Sequence, residues 1–185
     1  MRKNIGKKPW FYPLPVLIIG TYDESGTPDA TNASYGGLYT SSMVEFSISH
    51  DHKTFKNIQK TMAFTVSFAD AENIAASDYV GLVSGNDMPD KIEKTGWTVV
   101  RSEFLNAPIF EELPVTWECE FVRITEEGNV LGRLINISVN ETVLAEDGTI
   151  SMEKFKPLIF DHATYDYLKV DGKVGKAFSV GKSLM

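Results

Sequence analysis

PLPVLIIGTYDESGTPDATNASY, residues 13–35, decides how the rest of the chain is read. Pro13 and Pro15 make a rigid entry, because each proline fixes its own φ. Val16 to Tyr22 then reads as a buried strand. Asp23 to Pro28 concentrates turn residues, and Gly26 can take the left-handed position of a bulged hairpin. Asp29 to Tyr35 is the return strand, after which Gly36 and Gly37 loosen the chain. The chain therefore opens on an antiparallel hairpin.

Working outward, the same signal recurs. Met43 to Ser49 alternates, with Val44, Phe46 and Ile48 on one face and Glu45, Ser47 and Ser49 on the other, as in a half-buried strand. His50-Asp51-His52-Lys53 is a polar loop. Thr54 can cap a short helix from Phe55 to Lys60. Ala63 to Phe68 is a further strand. Ala71 to Val83 reads as a helix with Ala75, Tyr79 and Leu82 facing inward beside Ile74. Asp90 to Lys94 is a helical turn closed by Gly96, and Trp97 to Arg101 is extended. Val115 to Thr125 is a long strand with Val115, Trp117, Cys119 and Phe121 on one face. Val122 and Ile124 then switch faces, which implies a bulge. Glu126 to Asn129 turns the chain into a return strand, Val130 to Val139. Another turn at Glu146-Asp147-Gly148 precedes a short strand, Leu158 to Phe160. Tyr165, Tyr167 and Leu168 anchor a polar tail. The pattern predicts a mainly β protein: a closed or nearly closed antiparallel β-barrel with short helical insertions. No repeat or linker divides it, so residues 1–185 are read as a single domain.

Composition narrows the function. The chain of 185 residues is 43% hydrophobic with a net charge of -7. That balance excludes a broad basic face, so neither nucleic acid nor an anionic membrane is an expected partner. Cys119 is the single cysteine, which rules out an internal disulfide and fits a reducing compartment. Val16 to Ile19 is too short for a signal sequence, and no stretch reaches transmembrane length. A soluble, cytoplasmic protein is the expectation.

No phosphate-binding P-loop, nucleophile elbow, zincin motif or Rossmann glycine fingerprint is present. His50 and His52 flank Asp51, but so short a spacing is usually a solvated loop, and no metal is expected. Cys119 lies among apolar neighbours with no cation nearby, which describes an inert packing thiol. Three segments remain. In Ser47 to Asn57 a strand end, a polar loop and a helix start follow one another. The helix N-terminus, with Ser49, His50, Lys53 and Thr54, could cradle a phosphate; an ordinary capped helix reads equally well. In Thr31-Asn32-Ala33-Ser34-Tyr35-Gly36-Gly37 the small residues let backbone approach a flat ligand, or merely permit barrel curvature. Ser84-Gly85 with Lys91 reads, on its residues alone, as a helix end and a solvated lysine.

These segments, in this order, resemble the flavin reductase-like, FMN-binding split-barrel family, and its flavoredoxin branch most of all. The resemblance rests on Pro13 to Thr21 with Gly26-Thr27-Pro28, on Thr31 to Ser34, and on Ser47-Ile48-Ser49 with Lys53-Thr54 and Asn57-Ile58. It continues through Ser84-Gly85 with Asp90-Lys91, Ala107-Pro108, Trp117-Glu118-Cys119, Tyr167-Leu168 and Gly175 to Phe178. It implies an antiparallel split barrel of Greek-key type. It also implies FMN held without a covalent bond near a homodimer interface, reduced by NADH or NADPH or by a redox partner protein. The flavin ring and ribityl chain would fall to Thr31, Asn32, Ala33 and Ser34, and the phosphate to Ser49, His50, Lys53 and Thr54. Ser84 and Lys91 would join them, and His162 with Tyr165 would line the open side. Asp29 stands where many members have asparagine, Tyr35 where tryptophan is common, and Lys53 or His52 in place of a phosphate-loop arginine. The function so implied is a flavin reductase-like oxidoreductase. The alternatives are an electron carrier without a nicotinamide site, or a split-barrel module for haem or a deazaflavin.

Overall fold

Gly26, at φ +85°, closes a hairpin in which Leu17 faces Ala33 and Tyr22 faces Pro28. From this start the computed structural model describes all of residues 1–185. The first strands are β1 (Leu14–Pro15), β2 (Leu17–Tyr22), β3 (Pro28–Ala33), β4 (Gly36–Thr40) and β5 (Met43–Phe46). Helix α1 (Lys53–Thr61) leads to β6 (Ala63–Phe68), and α2 (Ile74–Leu82) and α3 (Lys91–Thr95) follow. Then come β7 (Val99–Arg101), β8 (Pro108–Phe110), β9 (Val115–Ile124), β10 (Val130–Val139), α4 (Met152–Phe155), β11 (Leu158–Asp161) and β12 (Asp166–Lys169).

Seven strands form one sheet in the order β3-β2-β6-β9-β10-β5-β4, with every pairing antiparallel. Its two outer strands, β3 and β4, are consecutive in the chain, with only Ser34 and Tyr35 between them. The covalent chain therefore draws the two edges of the sheet together, although no strand ladder joins them. The result is a barrel with a slit: the nearly closed barrel of the residue pattern, and the split barrel that the family resemblance implies. Inside it lie Leu17, Ile19, Val44, Phe46, Phe64 and Val66. Val16, Ile18, Ala30, Val80, Trp97 and Phe110 form a second cluster outside it. Strand β2 is thus buried on both faces, which explains its unbroken apolar run where a one-sided strand would alternate. The bulge expected at Val122 is present: Arg123 pairs with Leu131 and Phe121 with Gly132, leaving Val122 between. A Cβ on Gly132 would stand 2.3 Å from the Phe64 ring, so glycine makes room for that side chain.

Two smaller sheets complete the molecule: β1-β11-β12, and β7 with β8. No helix is long and apolar enough to cross a membrane.

Four local expectations need correction. Gly36 and Gly37 open strand β4 and do not loosen the chain. A Cβ on Gly36 would lie 2.6 Å from that of Phe46, so glycine is what lets the edge strand pack. Helix α1 begins at Lys53, with His52 as its N-cap, and Thr54 is buried inside its first turn. Helix α2 starts at Ile74 because the Asp70 carboxylate accepts the Glu72 and Asn73 amides and holds Ala71 to Asn73 in a turn. Its buried residues are Ser77 and Val80, while Leu82 is 75% exposed.

Candidate functional site

Phe55 and Ile58 root α1 in the barrel core, and the Asn57 Nδ2 donates to Thr21 Oγ1 on β2 at 3.1 Å. This seating aims the N-terminus of α1 at the free edge of β3. The loop that follows α2 closes the other side. Together they enclose a cleft of about 610 Å³ lined by Thr31, His52, Lys53, Thr54, Lys56, Ser84, Asn86 and Lys91, among others. Two glycines let the walls approach. A Cβ on Gly81 would fall 2.2 Å from the Asn32 side chain, and one on Gly85 would fall 2.2 Å from Asp29 Oδ1.

The helix start is unusual in what it leaves free. His52 makes no side-chain cap, and the first turn carries no acidic residue. The backbone N–H groups of Lys53, Thr54 and Phe55 have no acceptor within the protein. Such groups, with the partial positive charge of the helix end, favour an anion. His52 Nδ1 lies 3.5 Å from Thr31 Oγ1, and exposed Lys56 forms no ion pair. The Asn86 Nδ2 donates to the Asp51 carbonyl at 3.0 Å and ties the two walls together.

Beneath this rim sits a buried polar knot. The Thr54 hydroxyl donates to Asp29 Oδ2 at 2.6 Å, and Lys91 Nζ lies 3.1 Å from Asp29 Oδ1. Lys91 also donates to the carbonyls of Val80 and Val83 at 3.3 and 3.2 Å, which ends α2 and fixes the loop after it. Lys53 is paired as well, 3.0 Å from Asp23 Oδ2. Burial opposes ionisation of Asp23, but hydrogen bonds from Ser25, Lys53 and the Thr27 amide outweigh it and hold the carboxyl well below its usual range.

Of the residues expected at a ligand, Thr31, Lys53, Thr54, Ser84 and Lys91 line the cleft. The side chains of Thr54 and Lys91, however, are engaged by Asp29. Asn32 turns toward α2, donating to the Ser77 carbonyl at 3.3 Å. Ala33 packs in the barrel core. Ser34 stands half-buried at the slit. Ser49 is not in the lining, and its hydroxyl donates to the carboxylate of Asp51, which is. His50 points away: its ring stacks on Phe55 with centroids 4.1 Å apart, and its Nε2 is 2.8 Å from the Gly128 carbonyl oxygen. The two loop histidines therefore do not converge, and no cluster of three or more metal-ligating side chains forms. His162 lies outside the cleft, 3.0 Å from the Tyr35 hydroxyl and edge-on to Tyr165. Sequence reading missed Lys56 and Asn86, and at the phosphate gave His52 only as a substitute for an arginine. The local signal for His52 was an uncapped helix start with no acid in its first turn. Cys119 is fully buried, and burial together with the nearby Glu118 pushes its thiol up to about 12.

With this geometry in hand, the comparisons are specific. The family model for the flavin reductase like domain matches residues 11–169. Flavoredoxin of Desulfovibrio vulgaris (Miyazaki F) superposes with a TM-score of 0.94 at 30% identity, covering 98% of this chain and 100% of that one. Flavoredoxin from Methanosarcina acetivorans gives 0.88 at 25% identity, with 100% of both chains covered. At 18% identity, an FMN-binding protein from Thermus thermophilus shares the fold, with a TM-score of 0.77 over 95% of this chain and 99% of that one.

Proposed function

The chain belongs to the flavin reductase-like domain family, and on that premise we propose that it is an oxidoreductase working through non-covalent FMN. The observation that carries this reading is the first turn of α1. Its three unpartnered N–H groups open into a cleft beside a free strand edge. A phosphate suits that turn, because it satisfies the donors and the helix end together. The residues present fit the whole cofactor. The Lys53, Thr54 and Phe55 amides, with His52 and Lys56, would hold the phosphate. Thr31, Ser84 and Asn86 offer hydroxyl and amide groups to a polyol chain. The outer edge of β3 and Ser34 offer backbone groups to a heterocycle.

Bound FMN would supply the hydride and electron chemistry, so the protein needs no acid–base pair of its own. The chain's part is to place and shield. The Asp29–Thr54–Lys91 knot fixes the α1 start against β3 and the loop after α2. Asn86 holds that loop to Asp51, closing the wall against water. The reductant under this reading is NADH or NADPH. A second reading, an electron carrier reduced by a redox partner protein, is favoured by the full-length likeness to flavoredoxins. In either case the working unit is a homodimer, with exposed Trp10, Phe11 and Tyr12 in its contact surface.

The test is an anaerobic visible spectrum of the FMN-loaded protein. Flavin bands that bleach with NADH or NADPH support the reductase. Bands that persist with both but bleach with dithionite support the carrier. Absence of flavin bands after reconstitution overturns both.

A further inference from the structure

Beyond β12 the chain leaves the domain. Every residue from Val170 to Met185 is exposed, and no hydrogen bond joins the segment to the rest of the molecule. It is nevertheless folded upon itself. Val180–Leu184 is a 3-10 turn with no buried residue, preceded by bonds from the Ser179 and Val180 amides to the Lys176 carbonyl. Phe178 is fully exposed and Leu184 is 92% exposed. Phe178 also adopts φ +58°, a left-handed backbone that a bulky residue keeps only when its surroundings hold it there. A lone turn of this kind is not self-sustaining in water. The protomer covers none of its apolar side chains.

The same molecule carries a surface of matching chemistry. A shallow groove of about 450 Å³ runs along β4 and is lined by Phe11, Tyr35, Leu38 and Tyr39. Through Tyr39 and Glu45 it continues into a second, of about 430 Å³, where Glu45, Glu126 and Glu127 outnumber Arg123. The arm offers the complement: Phe178, Val180 and Leu184 for the apolar part, and Lys173, Lys176 and Lys182 against a single acid, Asp171, for the acidic part. We propose that residues 170–185 are an exchanged arm, each docking in the β4 groove of a second copy of this chain. Reciprocal exchange about a two-fold axis satisfies both arms and both grooves at once. The proposal rests on the homodimer reading given above and names the segment that holds the dimer together.

The test is sedimentation equilibrium of the FMN-loaded full chain against two variants. One is Phe178→Asp with Leu184→Asp on the arm, and the other is Leu38→Asp with Tyr39→Asp in the groove. All four positions are exposed, so far-UV circular dichroism of the folded chain should match the parent, while any change in thermal midpoint should follow only from the weaker dimer. Each variant should raise the dimer dissociation constant by about tenfold or more, as when a buried apolar anchor is lost. A dimer unchanged in the arm variant overturns the arm while leaving the dimer. A dimer weakened by the arm variant but not by the groove variant overturns the docking site. A parent chain that is monomeric at every concentration overturns the proposal and the dimer reading with it.

Discussion

Lys91 Nζ lies 3.1 Å from Asp29 Oδ1, and both side chains are almost wholly out of water. With Thr54 on the other carboxylate oxygen, one residue of β3 ties together α1 and α3. Removing one member of a buried ion pair leaves the other charge uncompensated, at a cost of about 3–5 kcal/mol. Lys91→Met should lower unfolding stability by about that amount in urea titration. Adding Asp29→Asn to it should restore part of the loss. A Lys91→Met protein as stable as the parent would mean that the pair does not anchor the cleft.

Thr54→Val removes the hydroxyl that Asp29 accepts while keeping shape and backbone. Stability should fall by about 1–3 kcal/mol, the cost of an unsatisfied buried acceptor. The preference for FMN over riboflavin should be unchanged, because the Thr54 hydroxyl is already engaged by Asp29 and the amide is left for the phosphate. Competitive flavin titration checks this; a lost preference would place the hydroxyl on the phosphate.

The amides themselves can be tested at Lys53. Proline is tolerated at the first helical position, and His52, at φ -59° and ψ 140°, already has the extended conformation that a following proline requires. Lys53→Ala removes the lysine alone; Lys53→Pro also removes the N–H. FMN binding should be weaker in the proline variant than in the alanine variant by about 1.5–3 kcal/mol, the range for hydrogen bonds to a charged group. Riboflavin binding should not separate the two.

What was legible in the sequence was what local pattern controls. The alternation of Val44 and Phe46, the turn at Gly26 and the face switch at Val122 each depend on a few adjacent residues. They gave the hairpins, the bulge and the barrel. The errors arose where a distant partner decides. Thr54 reads as a cap until Asp29, far back in the chain, takes its hydroxyl. Lys91 reads on its own as a solvated lysine, and through the family resemblance as a cation for the ligand, until the same carboxylate pairs with it. Gly36 reads as a break because an exposed edge strand shows no apolar alternation. The inward face of α2 is legible only in part: Ile74 and Tyr79 pack on the second cluster as expected, but the helix is most deeply buried at Ser77 and Val80 and leaves Ala75 and Leu82 in solvent.

Acid should expose the Asp23–Lys53 pair. A carboxyl depressed by folding contributes stability that is complete above its unfolded pKa, about 3.9, and is lost as pH falls through the folded value. The parent should therefore lose stability below about pH 4, and Asp23→Asn should flatten that limb in thermal melts. A limb of equal slope in both proteins would show that Asp23 does not contribute to it.

Cys119 gives the opposite sign. Its thiol, pushed up to about 12 by burial and by Glu118, stabilises fully below the usual thiol pKa of about 8.5 and progressively less above it. In the folded protein it should resist an aromatic disulfide reagent at neutral pH and react fully once urea unfolds the chain. Rapid reaction of the native protein would contradict its burial.

The central claim is a flavin mononucleotide held by its phosphate at the start of α1. Titration of the purified chain with FMN and, separately, with riboflavin, followed by flavin fluorescence, tests it most directly. The account predicts saturable binding of FMN that is about tenfold or more tighter than that of riboflavin, one charge-assisted contact being enough for that ratio. Equal affinity for the two flavins, or no saturable binding of FMN, would contradict it.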